Sequence, residues 1–178
     1  MKNILVAALV ALLFASCKKE VAELPPATQT GAHTFGAKVN GINWIPRGFL
    51  SIPAHDALQV QILANSDMTI RAMDLAGSPT EYEFEILLKN MTGPGTYQLN
   101  TSVTYPTTNA NFAYYVKRTL TPVDEWITSA THTGTVIITK FDVPNKIVSG
   151  TFQFTLVDIY NPSRTLTVTD GRFDIKMP

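Results

Sequence analysis

The chain has 178 residues, of which 45% are hydrophobic and 16% are charged, and its formal net charge is zero. This length and composition are typical of one folded domain and exclude a disordered chain. Basic and acidic residues are equal in number, at 14 each, and no basic run is longer than Lys18-Lys19. The surface that nucleic-acid binding requires is therefore missing, and nucleic acid is excluded as a partner.

The first element is a short apolar segment at the N-terminus. It runs from Ile4 to Phe14 after a charged start at Lys2, and the small pair Ala15-Ser16 follows it. Extended through Ala15 as a helix, the segment would reach only about 18 Å, against roughly 30 Å of bilayer hydrocarbon. It is too short to span a membrane, and the pattern predicts a secretory signal peptide over residues 1–16.

Cys17 follows this segment and is the only cysteine in the chain. A secreted domain that used disulfides would carry cysteines in pairs, so a lone cysteine at the cleavage boundary favours lipidation. Phe14-Ala15-Ser16-Cys17 resembles the lipobox of bacterial lipoproteins, which implies a diacylglycerol on sulfur and a further acyl chain. Two or more chains hold a protein firmly on a membrane. The membrane is therefore the predicted partner of this end of the chain.

Residues 17–32 are predicted to be the lipidated cysteine followed by a flexible tether. They lack a periodic apolar pattern, and Pro25-Pro26 favours extended backbone. Lys18 stands where the best-known sorting rule places an aspartate for inner-membrane retention, so the predicted location is the cell envelope at the outer membrane. Whether the domain faces the periplasm or the cell surface is left open. Residues 33–178 are predicted to form a single all-β domain.

The body of the chain alternates between apolar and polar residues with period two, and Gly, Pro and Asn punctuate the pattern. Such alternation predicts strands, and no convincing helix is found. The predicted strands are, in chain order, Thr34–Val39, Ile42–Ile45, Leu58–Leu63, Thr69–Met73, Glu81–Ile86, Thr96–Leu99, Phe112–Lys117, Thr135–Phe141, Ile147–Val157, Leu166–Val168 and Arg172–Lys176. Many short strands with regular turns indicate an antiparallel β-sandwich or barrel-like domain.

Four local patterns add detail to this prediction. Asn40-Gly41 is a dipeptide preferred in tight hairpin turns, and Asp170-Gly171 indicates a turn or a bulge. The strand at Thr135–Phe141 is apolar on both faces, which favours a central position in the sheet. The predicted irregular stretches are 105–111 and 119–124.

The same region carries a family resemblance. The phrases that carry it are Phe35-Gly-Ala-Lys-Val-Asn-Gly-Ile-Asn-Trp44, Gly95-Thr-Tyr97, Gly134-Thr-Val-Ile-Ile-Thr-Lys-Phe-Asp142, Ile147-Val-Ser-Gly-Thr-Phe-Gln-Phe154 and Gly171-Arg-Phe173. Together with the lipobox, they resemble the small β-rich lipoproteins of unknown function found widely in Bacteroidota. The resemblance implies an all-β fold in the cell envelope. It implies no catalytic residue, because that group has no established activity.

The sequence lacks the patterns of a histidine metal site and of a serine hydrolase, but it contains one row of carboxylates. His33, His55 and His132 lie far apart in the sequence without the spacing of metal ligands, and no Gly-x-Ser-x-Gly elbow is present. No metal, cofactor or catalytic residue is therefore predicted. Glu81, Glu83 and Glu85 alternate with apolar residues, which is typical of a solvated sheet face. Carboxylates two residues apart on one face are also about 6.5–7 Å apart, a separation that glycoside hydrolysis can use.

Aromatic residues provide the candidate ligand-binding site. Phe112 and Tyr114 are expected to share one face of a strand and to pack in the core, whereas Tyr115 lies on the opposite face. Trp44 is also expected in the core. Tyr115 and Trp126 are the predicted exposed residues, and they would bind a glycan or a protein through large rings with a polar handle.

The sequence therefore predicts a lipid-anchored envelope protein that is a non-catalytic binding module for a glycan or protein ligand. Two alternatives stay open. One is a hydrolase whose site is assembled only by folding, and the other is a structural envelope component. The oligomeric state is also open, because nothing in the pattern of residues bears on it.

Overall fold

The computed structural model describes residues 21–48, 56–77 and 79–178. The predicted signal peptide, Cys17 and His55 lie outside the described residues. The described residues contain eleven strands and no helix. The strands are β1 (Thr34–Val39), β2 (Ile42–Trp44), β3 (Leu58–Ile62), β4 (Met68–Asp74), β5 (Glu81–Leu88), β6 (Gly95–Leu99), β7 (Phe112–Arg118), β8 (Pro122–Ile127), β9 (Gly134–Asp142), β10 (Ile147–Asp158) and β11 (Thr165–Lys176).

All eleven strands belong to one antiparallel sheet. Its main path is β2-β1-β11-β10-β8-β7-β5-β4-β3, and β9 and β6 form a branch from β10. The branch arises because β10 is twelve residues long. Its first part pairs with β9, and its last residues, Val157 and Asp158, pair with β8.

The sheet curls so that its two halves face each other. Phe35 on β1 and Phe84 on β5 lie near opposite ends of the pairing order, yet their ring centroids are 5.9 Å apart. After β2, the chain contacts the half of the sheet that contains β4, because Arg47 forms an isolated parallel bridge with Asp74. The prediction of an all-β antiparallel domain of sandwich or barrel type is confirmed.

Local backbone geometry confirms two of the predicted turns. Asn40 and Gly41 have φ of 48° and 82°, the positive values that a tight hairpin turn requires. Asp170 has φ of 52°, and the register between β10 and β11 shifts opposite it. Asp170-Gly171 is therefore a bulge within one strand, β11. A Cβ at Gly171 would lie 2.3 Å from the ring of Phe152, so glycine is needed at this close approach.

Two strand predictions are corrected. Residues 119–124 were expected to be irregular, but β8 begins at Pro122 and pairs with both β7 and β10. Proline is tolerated there because it is the first residue of the strand. The strand predicted at 135–141 does lie between two others, β6 and β10. Its second face is not buried, however, because Ile137 is 43% exposed.

The predicted flexible tether also needs correction within the described residues. Asp174 on β11 is 1% exposed and accepts hydrogen bonds from the Thr28 hydroxyl and from the backbone amides of residues 30, 31 and 32. The Ser149 hydroxyl donates a further bond to it, at 2.8 Å. Residues 28–32 are therefore fixed to the domain. A buried carboxylate needs such donors, and this segment supplies them.

Asp174 is held in its charged form by these contacts. Burial by itself would raise the pKa of Asp174, but hydrogen bonds from Thr28, Ser149 and the backbone amides of residues 32 and 30 hold that pKa well below its ordinary value. The carboxylate is therefore ionised at neutral pH, and the docked segment stabilises the fold together with it.

The interior contains two apolar clusters. The main core lies between the two halves of the curled sheet and includes Phe35, Trp44, Phe84 and Phe152. The smaller cluster lies on the opposite face of β5, β7 and β8. Its buried members are Leu87, Phe112, Tyr114, Val116 and Ile127. Residues 100–111, between β6 and β7, form the loop before β7. This loop covers the smaller cluster with Val103 and Tyr105, so β7 is buried on both faces.

Candidate functional site

Polar side chains collect on the face of β4, β5, β7 and β8 that points away from the main core. Because side chains alternate along a strand, Phe84 and Ile86 enter the core while Glu83 and Glu85 point outward. We call this surface the outer polar face. Its members are Arg71, Glu83, Glu85, Tyr105, Tyr114, Arg118 and Glu125.

Two arginines neutralise two of the three carboxylates that β5 places on this face. Arg71 Nη2 lies 3.0 Å from Glu85 Oε2, and Arg118 Nη2 lies 2.9 Å from Glu83 Oε2. The Glu85 side chain is only 10% exposed. The expected solvated row of Glu81, Glu83 and Glu85 is thus wrong for Glu85. The loop before β7 is the reason, because its Tyr105 hydroxyl donates to Glu85 at 3.3 Å.

A pair of stacked tyrosines joins this loop to the sheet. The ring centroids of Tyr105 and Tyr114 are 3.8 Å apart, with an interplanar angle of 3°. The Tyr114 hydroxyl donates to Glu125 in a short hydrogen bond, and the Tyr160 hydroxyl donates to the same carboxylate at 2.8 Å. The rings of Tyr105 and Tyr114 are therefore each held by packing and by a hydrogen bond to a carboxylate.

Burial and charge shift the pKa of several of these groups. Burial raises the pKa of Glu83, and the positive charges of Arg118 and Arg71 oppose that shift. Burial and the nearby charges of Glu85 and Glu83 raise the pKa of Tyr105 to about 12. Burial and the hydrogen bond to Glu125 also raise the pKa of Tyr114. At neutral pH both tyrosines are protonated and serve as hydrogen-bond donors.

A groove of about 230 Å³ opens beside the ion pair of Arg71 and Glu85. Strands β3 and β4 form its floor, and the loop before β7 forms one wall. Polar groups in its lining include Gln59, Gln61, Thr69 and Thr107, and apolar contact comes from Leu63 and Leu87. It therefore combines amide, hydroxyl, guanidinium and carboxylate groups within one small concave surface.

The two aromatic residues predicted to bind ligand are not exposed. Tyr115 is 4% exposed and Trp126 is 8% exposed, and both belong to the main core. Their ring centroids are 5.8 Å apart, and the Tyr115 ring lies 4.5 Å from that of Phe84. The prediction that they form an exposed platform is wrong. Tyr115 does lie opposite Tyr114, but the loop before β7 covers one face of that strand and the curled sheet covers the other.

The groove residues were missed because pairing between strands is not visible in a sequence. The alternation of Leu58–Leu63 does indicate that Gln59 and Gln61 share the face away from the core. It does not indicate that Arg71 lies beside Gln59, or that Glu85 lies beside Arg71. Only the register of β3, β4 and β5 brings these three kinds of side chain together.

The histidines do not form a catalytic or metal-binding constellation within the described residues. His132 Nδ1 lies 3.3 Å from Ser129 Oγ, but that oxygen accepts hydrogen bonds from the backbone amides of residues 131 and 132. The contact therefore belongs to a turn. His33 lies 3.4 Å from Asp56. Among the described residues, no group of three or more His, Cys, Asp or Glu side chains is placed to hold a metal ion.

The described part of the chain also contains no helix that is long and apolar enough to cross a membrane. The fold and its outer polar face define a single antiparallel β-domain with a small polar groove. A family model described as "Domain of unknown function (DUF6252)" matches residues 56–175, which is more than half of the chain. The chain belongs to this family. No curated protein and no solved structure matches it.

Proposed function

We propose that the protein is a lipid-anchored, non-catalytic binding module of the cell envelope, located at the outer membrane. Its ligand is a glycan, and the groove of the outer polar face holds one of the sugar units. The lipobox-like Phe14-Ala15-Ser16-Cys17 supports the anchor. The observation that carries the ligand class is the chemistry of the groove.

Sugars present closely spaced hydroxyl groups that both donate and accept hydrogen bonds. The amides of Gln59 and Gln61 offer donors and acceptors together, and the guanidinium of Arg71 offers donors in a planar fork. Leu63 and Leu87 add apolar surface for the carbon-bound hydrogens of a sugar ring. The volume is below the roughly 300–1,000 Å³ of small-molecule pockets, which favours one unit of a longer glycan over a large cofactor.

The outer polar face favours binding over catalysis because the carboxylates of Glu83 and Glu85 are already neutralised. Glu85 is paired with Arg71 and Glu83 with Arg118. One observation supports a second candidate, a glycoside hydrolase. Burial raises the pKa of Glu83, as a general acid requires, while Glu85 two residues away is paired with an arginine.

A double variant, Gln59→Ala with Gln61→Ala, tests the binding proposal against a panel of envelope and host polysaccharides. Both side chains are exposed, so the fold is expected to survive. Gln98→Ala with Gln153→Ala is the matched control, because it removes two exposed amides from the other half of the sheet. We expect the first variant to lose glycan binding and the control to keep it. Equal binding by both variants would overturn the proposal.

The same panel separates the hydrolase from the binding module. Release of reducing ends by the wild-type protein, abolished in Glu83→Gln, would establish the hydrolase. Binding without release supports the binding module.

The anchor has its own test. We expect Cys17→Ser to leave the membrane fraction for the soluble fraction and to lose metabolic labelling by palmitate. A Cys17→Ser protein that was still processed and stayed membrane-bound would refute lipid anchoring.

A further inference from the structure

The domain is bound to its own N-terminal segment up to the first described residue. Asn43 on β2 donates hydrogen bonds from Nδ2 to the carbonyl oxygens of Val21 and Ala22, both at 3.0 Å. Further along, a Cβ at Gly36 would lie 2.7 Å from Pro25 Cδ, so the segment lies closely against β1. The described chain therefore begins at a defined place, beside Asn43.

Very little chain remains between this place and Cys17. Val21 is four residues from Cys17 in the sequence. Four residues span at most about 13–14 Å even when fully extended. A lipid on Cys17 would consequently hold the surface around Asn43 close to the bilayer, and the domain could not turn that surface away from it.

Three turns lie at this end of the sheet. The β1–β2 turn lies beside the beginning of β11, where the Thr167 amide donates to Asn40 Oδ1 at 2.9 Å. The loop between β10 and β11 contacts β8 through the ion pair of Arg164 and Asp124, at 3.0 Å. Because β8 is antiparallel to β10 and Trp126 pairs with Asp158 at the end of β10, the start of β8 and the β7–β8 turn lie at this same end.

Exposed apolar side chains are concentrated at these three turns. Among the described residues, five of the eight large hydrophobic side chains that are exposed lie there. They are Ile42, Leu120, Val123, Ile159 and Tyr160. Leu120 is 97% exposed and Tyr160 is 75% exposed. Apolar residues beside a tyrosine are typical of surfaces that contact the headgroup region of a membrane.

We propose that this end of the domain is a membrane-contacting surface, and that its partner is the bilayer that holds the lipid on Cys17. The proposal rests on the lipid anchor of the proposed function. Two independent observations support it. One is the short chain between Val21 and Cys17, and the other is the exposed apolar surface of the three turns. The groove lies toward the opposite end, near the β3–β4 turn at Leu63, and would open away from the bilayer.

The test places one polarity-sensitive fluorophore at a time on the full-length lipidated protein. Leu120→Cys and Tyr160→Cys carry the label at the proposed surface, and lipidated Cys17 does not react with it. Val143→Cys is the matched control, because Val143 is 60% exposed in the β9–β10 turn at the other end. All three positions are exposed, so the fold is expected to tolerate them. The proteins are reconstituted into vesicles of phosphatidylethanolamine and phosphatidylglycerol.

We expect the labels at 120 and 160 to shift to shorter emission wavelengths and to be protected from an aqueous quencher. The label at 143 should show neither change. Equal spectra and equal quenching at all three positions of a vesicle-bound protein would overturn the orientation and leave the anchor intact. A wild-type protein that fails to co-sediment with vesicles would refute the anchor itself.

Discussion

Tyr114 and Tyr115 are neighbours in sequence and are both buried, but they belong to different parts of the molecule. Tyr115 lies in the main core among Trp44, Phe84 and Trp126. Tyr114 lies on the outer polar face, stacked on Tyr105 and hydrogen-bonded to Glu125. Burial raises the pKa of both hydroxyls, but only the pKa of Tyr114 is also raised by a hydrogen bond to a carboxylate.

The two faces of β7 are therefore buried in different ways. The core face of β7 is buried by apolar packing, which stabilises roughly in proportion to the area removed from water. The outer face is buried under a loop, where Phe112 and Val116 join a small apolar cluster and the neighbouring polar groups satisfy one another. A satisfied polar network holds side chains in one geometry, while each of its neutral hydrogen bonds adds only about 0.5–1.5 kcal/mol net. We therefore expect variants on the core face to lower the free energy of unfolding more than variants on the outer face.

The largest effect is expected in the main core. Phe84→Ala removes a fully buried ring and should lower the free energy of unfolding by about 3–5 kcal/mol. Glu81→Ala on the same strand is the control and should change it by less than about 0.5 kcal/mol. Urea denaturation followed by tryptophan fluorescence measures both. A loss at Phe84 no larger than that at Glu81 would contradict the assignment of the core.

The next largest effect is expected at Asp174 on β11, where residues 28–32 cover a buried carboxylate. Asp174→Asn weakens its charge-assisted hydrogen bonds to residues 28–32 and should cost about 2–4 kcal/mol of stability. The control is Asp170→Asn, since Asp170 forms an exposed ion pair with Lys38, and its loss should be below about 1 kcal/mol. The first variant should also expose residues 21–32 to limited proteolysis.

The same carboxylate predicts a dependence on acid. Because the folded-state pKa of Asp174 is lowered, its contribution to stability is present above the ordinary aspartate pKa of about 3.9 and is lost as pH falls toward the folded-state value. Unfolding free energies measured from neutral pH downward should therefore fall more steeply for the wild type than for Asp174→Asn. Parallel curves would contradict the assigned role.

A smaller effect is expected from the hydroxyl on the outer polar face. Tyr114→Phe keeps the stacked ring but removes the hydrogen bond to Glu125, which should cost about 1–2 kcal/mol. Tyr115→Phe keeps the packing of the core ring and should cost less. Chemical denaturation of the two variants ranks them directly. The reverse order would show that the two faces are not stabilised as described.

The smallest loss of stability at neutral pH is expected for Tyr105→Phe. Its difference from the wild type should change at alkaline pH. The folded-state pKa of Tyr105 is raised to about 12, above the ordinary value of about 10. Its contribution to stability is therefore present below pH about 10 and is lost as pH rises from about 10 to about 12. Thermal unfolding over this range should show a smaller alkaline loss in Tyr105→Phe than in the wild type.

Much of the fold could be predicted from alternation, because strand periodicity is a local property. The hairpin at Asn40-Gly41 and the bulge at Asp170-Gly171 were also predictable, since each depends on backbone conformations that few residues adopt. The strand beginning at Pro122 was not predicted, because proline and acidic residues weaken its local signal. Its pairing with β7 and β10 supplies the stability that its own residues do not indicate.

The exposure of the aromatic rings was not predictable in the same way. Alternation correctly placed Tyr114 and Tyr115 on opposite faces of a strand, but it does not tell which faces other parts of the chain cover. The loop before β7 covers the outer face, and the curl of the sheet covers the inner one. Tyr115 and Trp126 were assigned to the surface because both coverings come from residues distant in sequence.

By itself the sequence determined the all-β architecture, most strand positions and the tight turns, because these follow from local backbone preferences and period-two patterning. Tertiary structure alone decided which polar residues meet at the groove beside Arg71 and Glu85. It alone also decided that residues 28–32 bind Asp174 and that the exposed apolar turns share one end of the sheet. Strand register and sheet curvature bring together residues far apart in the chain, and no local pattern encodes those distances.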